Sequence, residues 1–315
     1  MVDYQSRVPP CYGPDHLAGS SPTDQSGPHG GYRLGDCELF FLRDGAFWLD
    51  GGAYFGVVPK PLWEKIAQPD ARNRVRLCIN PLLVRTPEHL VLIDPGLGDK
   101  WSDRQRDIYR IERTPSLQES LALYGFSSKD IEIVIATHLH FDHVGACTVS
   151  EQGGVVPAFP NARHYFQRGE WEDAMAPNER TRAAYQSGDF VPLQQSGLVE
   201  LIDGPCQIVP HVTVEVTGGH TRCHQVVFVE SQGQKAVYLG GILPATSHLP
   251  IAYTMGFDLY PMTVMDTRRK LYQPAVKERW LVCLEHDCAV PAGHIALEGE
   301  RFFFQPLSDD SKEGR

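Results

Sequence analysis

The chain has 315 residues and a formal charge of −10, with 42% hydrophobic and 22% charged residues. That composition belongs to a folded globular protein and excludes a largely disordered or collagen-like chain. The acidic balance argues against a nucleic-acid partner, and no apolar run reaches the roughly 18–20 residues that cross a bilayer, so no membrane partner is expected.

Residues 1–31 are polar and rich in Pro, Gly and Ser and read as a flexible extension. They hold no basic start followed by an apolar stretch, so no secretory signal is expected and the compartment expected is the cytoplasm. Eight cysteines without a C-x-x-C pair read as reduced thiols buried as small hydrophobes. Leu34–Leu42 and Ala46–Leu49 are predicted strands joined at Arg43-Asp44-Gly45. Gly51–Pro59 is apolar but broken by glycines, and is expected to be a packed loop. Val75–Arg85 and His89–Ile93 follow as strands, the second ending in the turn Asp94-Pro95-Gly96. Ser116 and Glu119 form a capping box for a helix that ends at Gly125. Ile131–Ala136 is a buried strand, and Arg163–Phe166 a short one before a helix stopped by Pro177. Val212–Val216, Gln225–Glu230 and Lys235–Leu239 are strands, the last two turned at Gly233-Gln234. Met265–Arg279 is a helix kinked or broken at Pro274, and Trp280–Leu284 is the last core strand. Helices fall between groups of strands, which predicts an α+β chain of two sheets in contact with helices outside. Residues 32–305 are expected to form one domain, and 306–315 a charged tail.

The segment that carries chemistry is Thr137-His138-Leu139-His140-Phe141-Asp142-His143, directly after the buried strand. A strand end fixes direction, and the loop after it turns several side chains toward one point. Imidazole and carboxylate are the ligands that zinc and iron favour. Three histidines and an aspartate within six residues are not the pattern of an incidental polar loop.

The H-x-H-x-D-H run after a buried strand resembles the metallo-β-lactamase superfamily. Asp94-Pro95-Gly96 matches the superfamily's first signature, Gly219-His220-Thr221 its third metal histidine, and Glu285-His286-Asp287 its last one, all in the right order. The resemblance implies a four-layer αββα sandwich with metals at one edge between the sheets. It implies two ligand sets: His138, His140 and His220 for one ion, and Asp142, His143 and His286 for the other. Zinc is the metal expected, one or two per chain, with iron or manganese as alternatives. Asp94 is expected to accept the free ring N–H of a ligating histidine, and His224 to stand behind the ligands. The superfamily's bridging aspartate is missing, because Gly241 stands in its place in Leu239-Gly240-Gly241. The second metal is therefore expected to be the weaker one.

The resemblance further implies a hydrolase that uses metal-activated water on a small-molecule substrate. A small ester or lactone is favoured, acyl-homoserine lactones among them, because size and the Gly-His-Thr-x-x-His run at His220–His224 are similar to the family's lactonases. Asp142 is expected to orient the water or pass a proton. His248 is expected to serve as a further ligand or substrate contact, or else to be a surface histidine or one standing behind the ligands, and Tyr253, with Tyr260, as an oxyanion donor. The apolar segment Tyr54–Trp63 is expected to cap the site and take an acyl chain, or else to cover core or form a homodimer contact. The alternatives are a β-lactamase-like amidase, a weakened or inactive metal-binding homologue, and an iron-dependent redox enzyme.

Overall fold

The computed structural model describes residues 31–307; the expected extension and most of the charged tail lie outside the described residues. The N-terminal half lays down β1 (Tyr32–Leu34), β2 (Cys37–Phe41), β3 (Ala46–Asp50), β4 (Arg74–Cys78), β5 (Leu82–Arg85), β6 (Leu90–Ile93), β7 (Ile133–Ile135), β8 (Thr148–Glu151), β9 (Gly154–Pro157), β10 (Arg163–Gln167) and β11 (Val199–Ile202). The C-terminal half adds β12 (Cys206–Val209), β13 (Val212–Val216), β14 (Gln225–Ser231), β15 (Gln234–Tyr238), β16 (Leu281–Cys283), β17 (Ala292–Glu298) and β18 (Arg301–Pro306). Two seven-stranded sheets result, ordered β1-β2-β5-β6-β7-β10-β11 and β12 through β18 in succession. The hairpins β3–β4 and β8–β9 stand apart as two-stranded sheets. The helices are α1 (Gly51–Phe55), α2 (Lys60–Trp63), α3 (Asp103–Tyr109), α4 (Leu117–Leu123), α5 (Phe141–Val144), α6 (Arg168–Met175), α7 (Val191–Gln195) and α8 (Pro261–Lys277).

Three apolar interfaces make four layers. Leu39, Val84, Ile93 and Ile135 of the first sheet meet Val214, Val227, Tyr238 and Cys283 of the second. The other face of the first sheet, with Leu92 and Val134, is covered by Leu117 and Leu121 of α4 and Trp171 of α6. The other face of the second sheet, with Phe228 and Val237, is covered by Val264, Tyr272 and Ala275 of α8. This is the expected αββα sandwich. β6 and β7 are buried along their whole length and read as unbroken apolar runs, because parallel strands covered on both faces bury every side chain.

The structure corrects several sequence expectations. Leu34–Leu42 is a hairpin, not one strand, because Gly35 at φ +60° turns the chain between β1 and β2. Val75–Arg85 is two strands in different sheets. The break falls at Asn80-Pro81, where the Asn80 amide donates to the carbonyls of Leu284 and Asp287 at 2.8 Å each. Gly51–Pro59 is mostly helix α1, capped by Asp50, which accepts from Ala53 N at 3.0 Å. Tyr54 and Phe55 go inward while Val57 stays exposed, and Phe55 stacks on Trp63 with centroids 5.2 Å apart. Helix α8 runs unbroken through Pro274. Trp280–Leu284 is not the last strand, since β17 and β18 pair outside β16, with Phe302 and Phe304 turned toward α8. Not all the cysteines are free thiols: Cys78 and Cys288 form a disulfide. Spacing gave no sign of it because the partners are brought together by the Cys78 N–H bonding the His286 carbonyl at 3.2 Å, not by sequence proximity.

Candidate metal centre

β6 and β7 lie side by side in parallel, and their C-terminal ends supply the floor of the site. β6 is followed by Asp94, a non-glycine residue at φ +46°, a conformation that costs energy and concentrates where function over-determines the backbone. That turn aims its carboxylate back under the next strand end. Oδ1 accepts from Thr137 N at 2.7 Å, while Oδ2 accepts from Thr137 Oγ1 at 2.6 Å and from His143 Nδ1 at 2.7 Å. Asp94 thus fixes the ring of His143 with its other nitrogen turned toward Asp142.

After β7 the chain delivers His138 and His140, and the short α5 presents Asp142 and His143. His220 comes from the loop after β13 and His286 from the loop after β16. His138 Nε2 and His220 Nε2 converge on His140 Nδ1 at 3.0 and 3.2 Å. His220 is held from behind by Asp258, whose Oδ1 accepts from its Nδ1 at 2.7 Å. The second group lies beside the first, with the rings of His138 and His143 3.9 Å apart at their centroids. There Asp142 Oδ2 stands 3.3 Å from His286 Nε2 and 3.7 Å from His143 Nε2. His286 donates its other nitrogen to the Cys78 carbonyl at 3.0 Å.

The electrostatics divide the two triads. Burial, reinforced by neighbouring histidines, pushes His138 and His140 far below the ordinary histidine value, so both are neutral. Neutral imidazoles crowded at one point are the donor set a divalent cation needs. In the second triad burial also opposes charge, but carboxylates overcome it. Glu285, Asp94 and Asp142 raise His143 to about 9, and Glu285 and Asp142 raise His286 to about 10. Burial would raise Asp142, yet His143 and His286 hold it below the usual carboxylate range. Both groups offer the donors of a metal site: three histidines in one, and two histidines with a carboxylate in the other, where a cation would take the place of the protons that the carboxylates attract.

Not every residue singled out in the sequence joins this site. His248 is fully buried away from it, with Nε2 bonded to the Tyr54 carbonyl at 2.9 Å and its ring stacked on Phe55 at 4.9 Å. Burial and the Arg268 charge lower it to about 3, so it is a neutral core histidine, not a ligand or substrate contact. Tyr253 and Tyr260 do not line the cleft above the triads. Tyr253 packs on the core beside it, and its carbonyl accepts from buried Arg268 at 2.8 Å. His224 uses both nitrogens on its own loop and its neighbour, meeting Thr217 Oγ1 at 2.7 Å and accepting from Gly241 N at 3.1 Å. It supports the turn at Gly241 without touching a ligand through a hydrogen bond.

Three carboxylates at the site were not singled out by sequence. Asp258 holds His220, as above. Glu170, from α6, is buried and accepts from Leu139 N at 3.1 Å, Tyr185 OH at 2.9 Å and Thr221 Oγ1 at 2.6 Å, tying both histidine-bearing loops together. Glu285 precedes His286 and faces the second triad. None belongs to a spacing pattern; Glu285 alone had a signal, its place beside a matched histidine.

Above the triads opens a cleft of about 470 Å³. Its walls are largely apolar (Trp48, Leu77, Ile108, Met255 and Phe257 among them) but include Asp50, Arg72, Arg74 and Arg180, and His140, Asp142, His143, His220, Glu285 and His286 form its floor. The segment Tyr54–Trp63 is not part of that lining; its Tyr54, Phe55, Val58 and Trp63 pack in the core, the alternative expected of it. At the rim, Arg180 bonds the Gly256 carbonyl at 2.8 Å and has no ion pair among the described residues.

A four-layer sandwich with two metal-ligand triads at the ends of its inner strands defines a metallo-hydrolase architecture. Residues 78–286 match the family described as the metallo-beta-lactamase superfamily, and the chain belongs to that superfamily. A probable metal-dependent hydrolase from Staphylococcus aureus is 31% identical over 88% of this chain and 99% of its own, with a TM-score of 0.80. The dizinc quorum-quenching lactonase AidC, in complex with the product N-hexanoyl-L-homoserine, shares the fold at a TM-score of 0.74 and 21% identity, covering 88% of this chain and 97% of its own. An N-acyl homoserine lactonase of Bacillus thuringiensis is 25% identical over 220 residues, which is 65% of this chain and 79% of that protein.

Proposed function

We propose that this metallo-hydrolase opens the ring of a small lactone carrying an apolar acyl chain, an N-acyl homoserine lactone being the nearest example. The observation that carries this reading is that His140, His220, Asp142, His143 and His286, drawn from both triads, lie on the floor of a cleft whose walls are largely apolar, with Asp50, Arg72, Arg74 and Arg180 among them. The curated lactonase relatives support the choice of bond. Zinc ions held by the triads would supply a water of lowered pKa and a Lewis acid for the carbonyl.

The chain's own groups divide the remaining work. Trp48, Ile108, Met255 and Phe257 would bury the acyl chain and exclude water. Addition of water to the lactone carbonyl and rupture of the ring C–O bond leave an alkoxide that needs a proton. Asp142, one of the two carboxylates of the cleft floor, would orient the water and carry that proton. Asp94 and Asp258 would keep His143 and His220 aimed.

The zinc-loaded protein should be assayed on acylated lactones, simple esters, phosphodiesters and a cephalosporin. The expected result is fastest turnover of acylated lactones. Turnover of cephalosporin without lactone hydrolysis would replace this reading with an amidase, and no turnover by a fully loaded protein would replace it with an inactive metal-binding homologue.

A further inference from the structure

Glycine at 241 removes a carboxylate from the end of β15, but the neighbouring strand end supplies one. β15 and β16 run in parallel, with Tyr238 opposite Cys283, so the residues following each strand emerge side by side. There Glu285 is buried, its side chain 4% exposed. Its Oε1 lies 3.1 Å from His286 Nε2, the same nitrogen that faces Asp142. Its Oε2 lies 3.2 Å from His143 Nδ1, but that nitrogen is bonded to Asp94 at 2.7 Å, and Glu285 Oε2 has no hydrogen-bond partner. The oxygen that faces the second triad is Oε1, on the same His286 nitrogen as Asp142, and a cation held between the two carboxylates would offset the cost of burying both.

We propose that Glu285 is the fourth protein ligand of the second metal, joining Asp142, His143 and His286 and standing in for the carboxylate missing at 241. The inference rests on reading the two triads as a dinuclear centre. It gives the second ion two carboxylates and two histidines, against three histidines for the first. The second site then becomes the tighter of the two, contrary to the expectation drawn from Gly241. Glu285 contacts the second triad only, so its loss should be felt at one site and not both.

The test is metal binding by the full chain, which does not depend on the substrate. Zinc would be titrated against a competing chelator in wild type and Glu285→Gln, an isosteric change that keeps the packing. Cobalt(II) spectra of both would report coordination. The expected result is two zinc ions in wild type, with one of them bound more than about 100-fold more weakly in the variant, beyond the roughly 10–100-fold that losing an outer carboxylate costs. The cobalt d–d bands of that site alone should change. A purely positioning role would weaken binding but leave those bands as they are, which overturns the proposal. Wild-type affinity in Glu285→Gln overturns it too, as does a wild-type chain that never takes a second ion. Should Glu285→Gln fail to fold, Glu285→Asp, which withdraws the carboxylate by one methylene, must show the same selective loss. Lactone turnover by either protein is a separate readout, so failure here leaves the proposed reaction to its own assay.

Discussion

The imidazole of His220 fills the space that a side chain at position 241 would need. A Cβ built on Gly241 would press into His220 Cγ and Cδ2, and Gly241 is not among the residues with left-handed φ, so the ring is what excludes a side chain. Gly241→Ala should therefore push His220 away from His138 and His140 while leaving the fold intact. The expected outcome is a three-histidine site weakened by roughly 10–100-fold, the scale on which misaligned ligands lose affinity. Chelator competition with zinc measures it, and unchanged affinity would show that the ring can move aside freely.

Glu170 joins three segments through one carboxylate: Leu139 lies between two ligating histidines, Thr221 follows His220, and Tyr185 packs its ring 5.1 Å from His140. Glu170→Gln keeps the shape but turns one acceptor into a donor, leaving at least one buried hydrogen bond unmade. Stability should fall by about 1–3 kcal/mol, read as a lower urea midpoint of the metal-free protein. Zinc affinity should fall as well, since both histidine loops lose their common anchor. A variant with wild-type stability would falsify the idea that this carboxylate holds the loops.

Much of this was legible in the sequence, and the residues show why. The run from His138 to His143 follows a strand that is buried on both faces, so local spacing and tertiary position agree. The Ser116–Glu119 box forms as expected because capping is decided within four residues. Asp258 and Glu170 escaped notice because each is 31 or more residues from a partner it holds: 38 from His220 for Asp258, 31 from Leu139 for Glu170. His248 misled because proximity in sequence to Gly241 suggested proximity in space, while stacking on Phe55 and burial drew it into the core. Tyr54–Trp63 was ambiguous because glycines hide helix α1, and apolar composition does not say whether a segment faces a ligand or the interior. The Asn80-Pro81 break was missed because two apolar strands in different sheets look like one when read along the chain.

The apolar wall of the cleft sets a prediction for substrate preference. Ile108 is 40% exposed and lines the cleft, so it can contact ligand with little role in folding. If the acyl chain lies along it, each methylene buried contributes about 0.8 kcal/mol, or roughly fourfold in affinity. Wild-type KM should fall with chain length until the wall is covered. Ile108→Asn should flatten that dependence, raising KM for long-chain lactones and leaving short-chain ones nearly unchanged. An equal loss for all chain lengths would place the acyl group elsewhere.

His248 makes the fold sensitive to acid from outside the metal centre. Its ordinary value is 6.5, and burial first, then the Arg268 charge, lower it to about 3 in the folded protein. Below about pH 6.5 the unfolded chain therefore takes up a proton at this position that the folded chain refuses until near pH 3. Unfolding is favoured progressively across that window, by at most about 1.4 kcal/mol per pH unit from this one group. His164, lowered to about 4 by burial, adds to the same trend. In His248→Gln the side-chain amide can still donate to the Tyr54 carbonyl but does not titrate. The variant should lose less stability than wild type between pH 7 and 4.5, with the two urea midpoints converging or crossing as the pH falls. Parallel curves would mean that His248 takes up its proton in the folded state as readily as in the unfolded one.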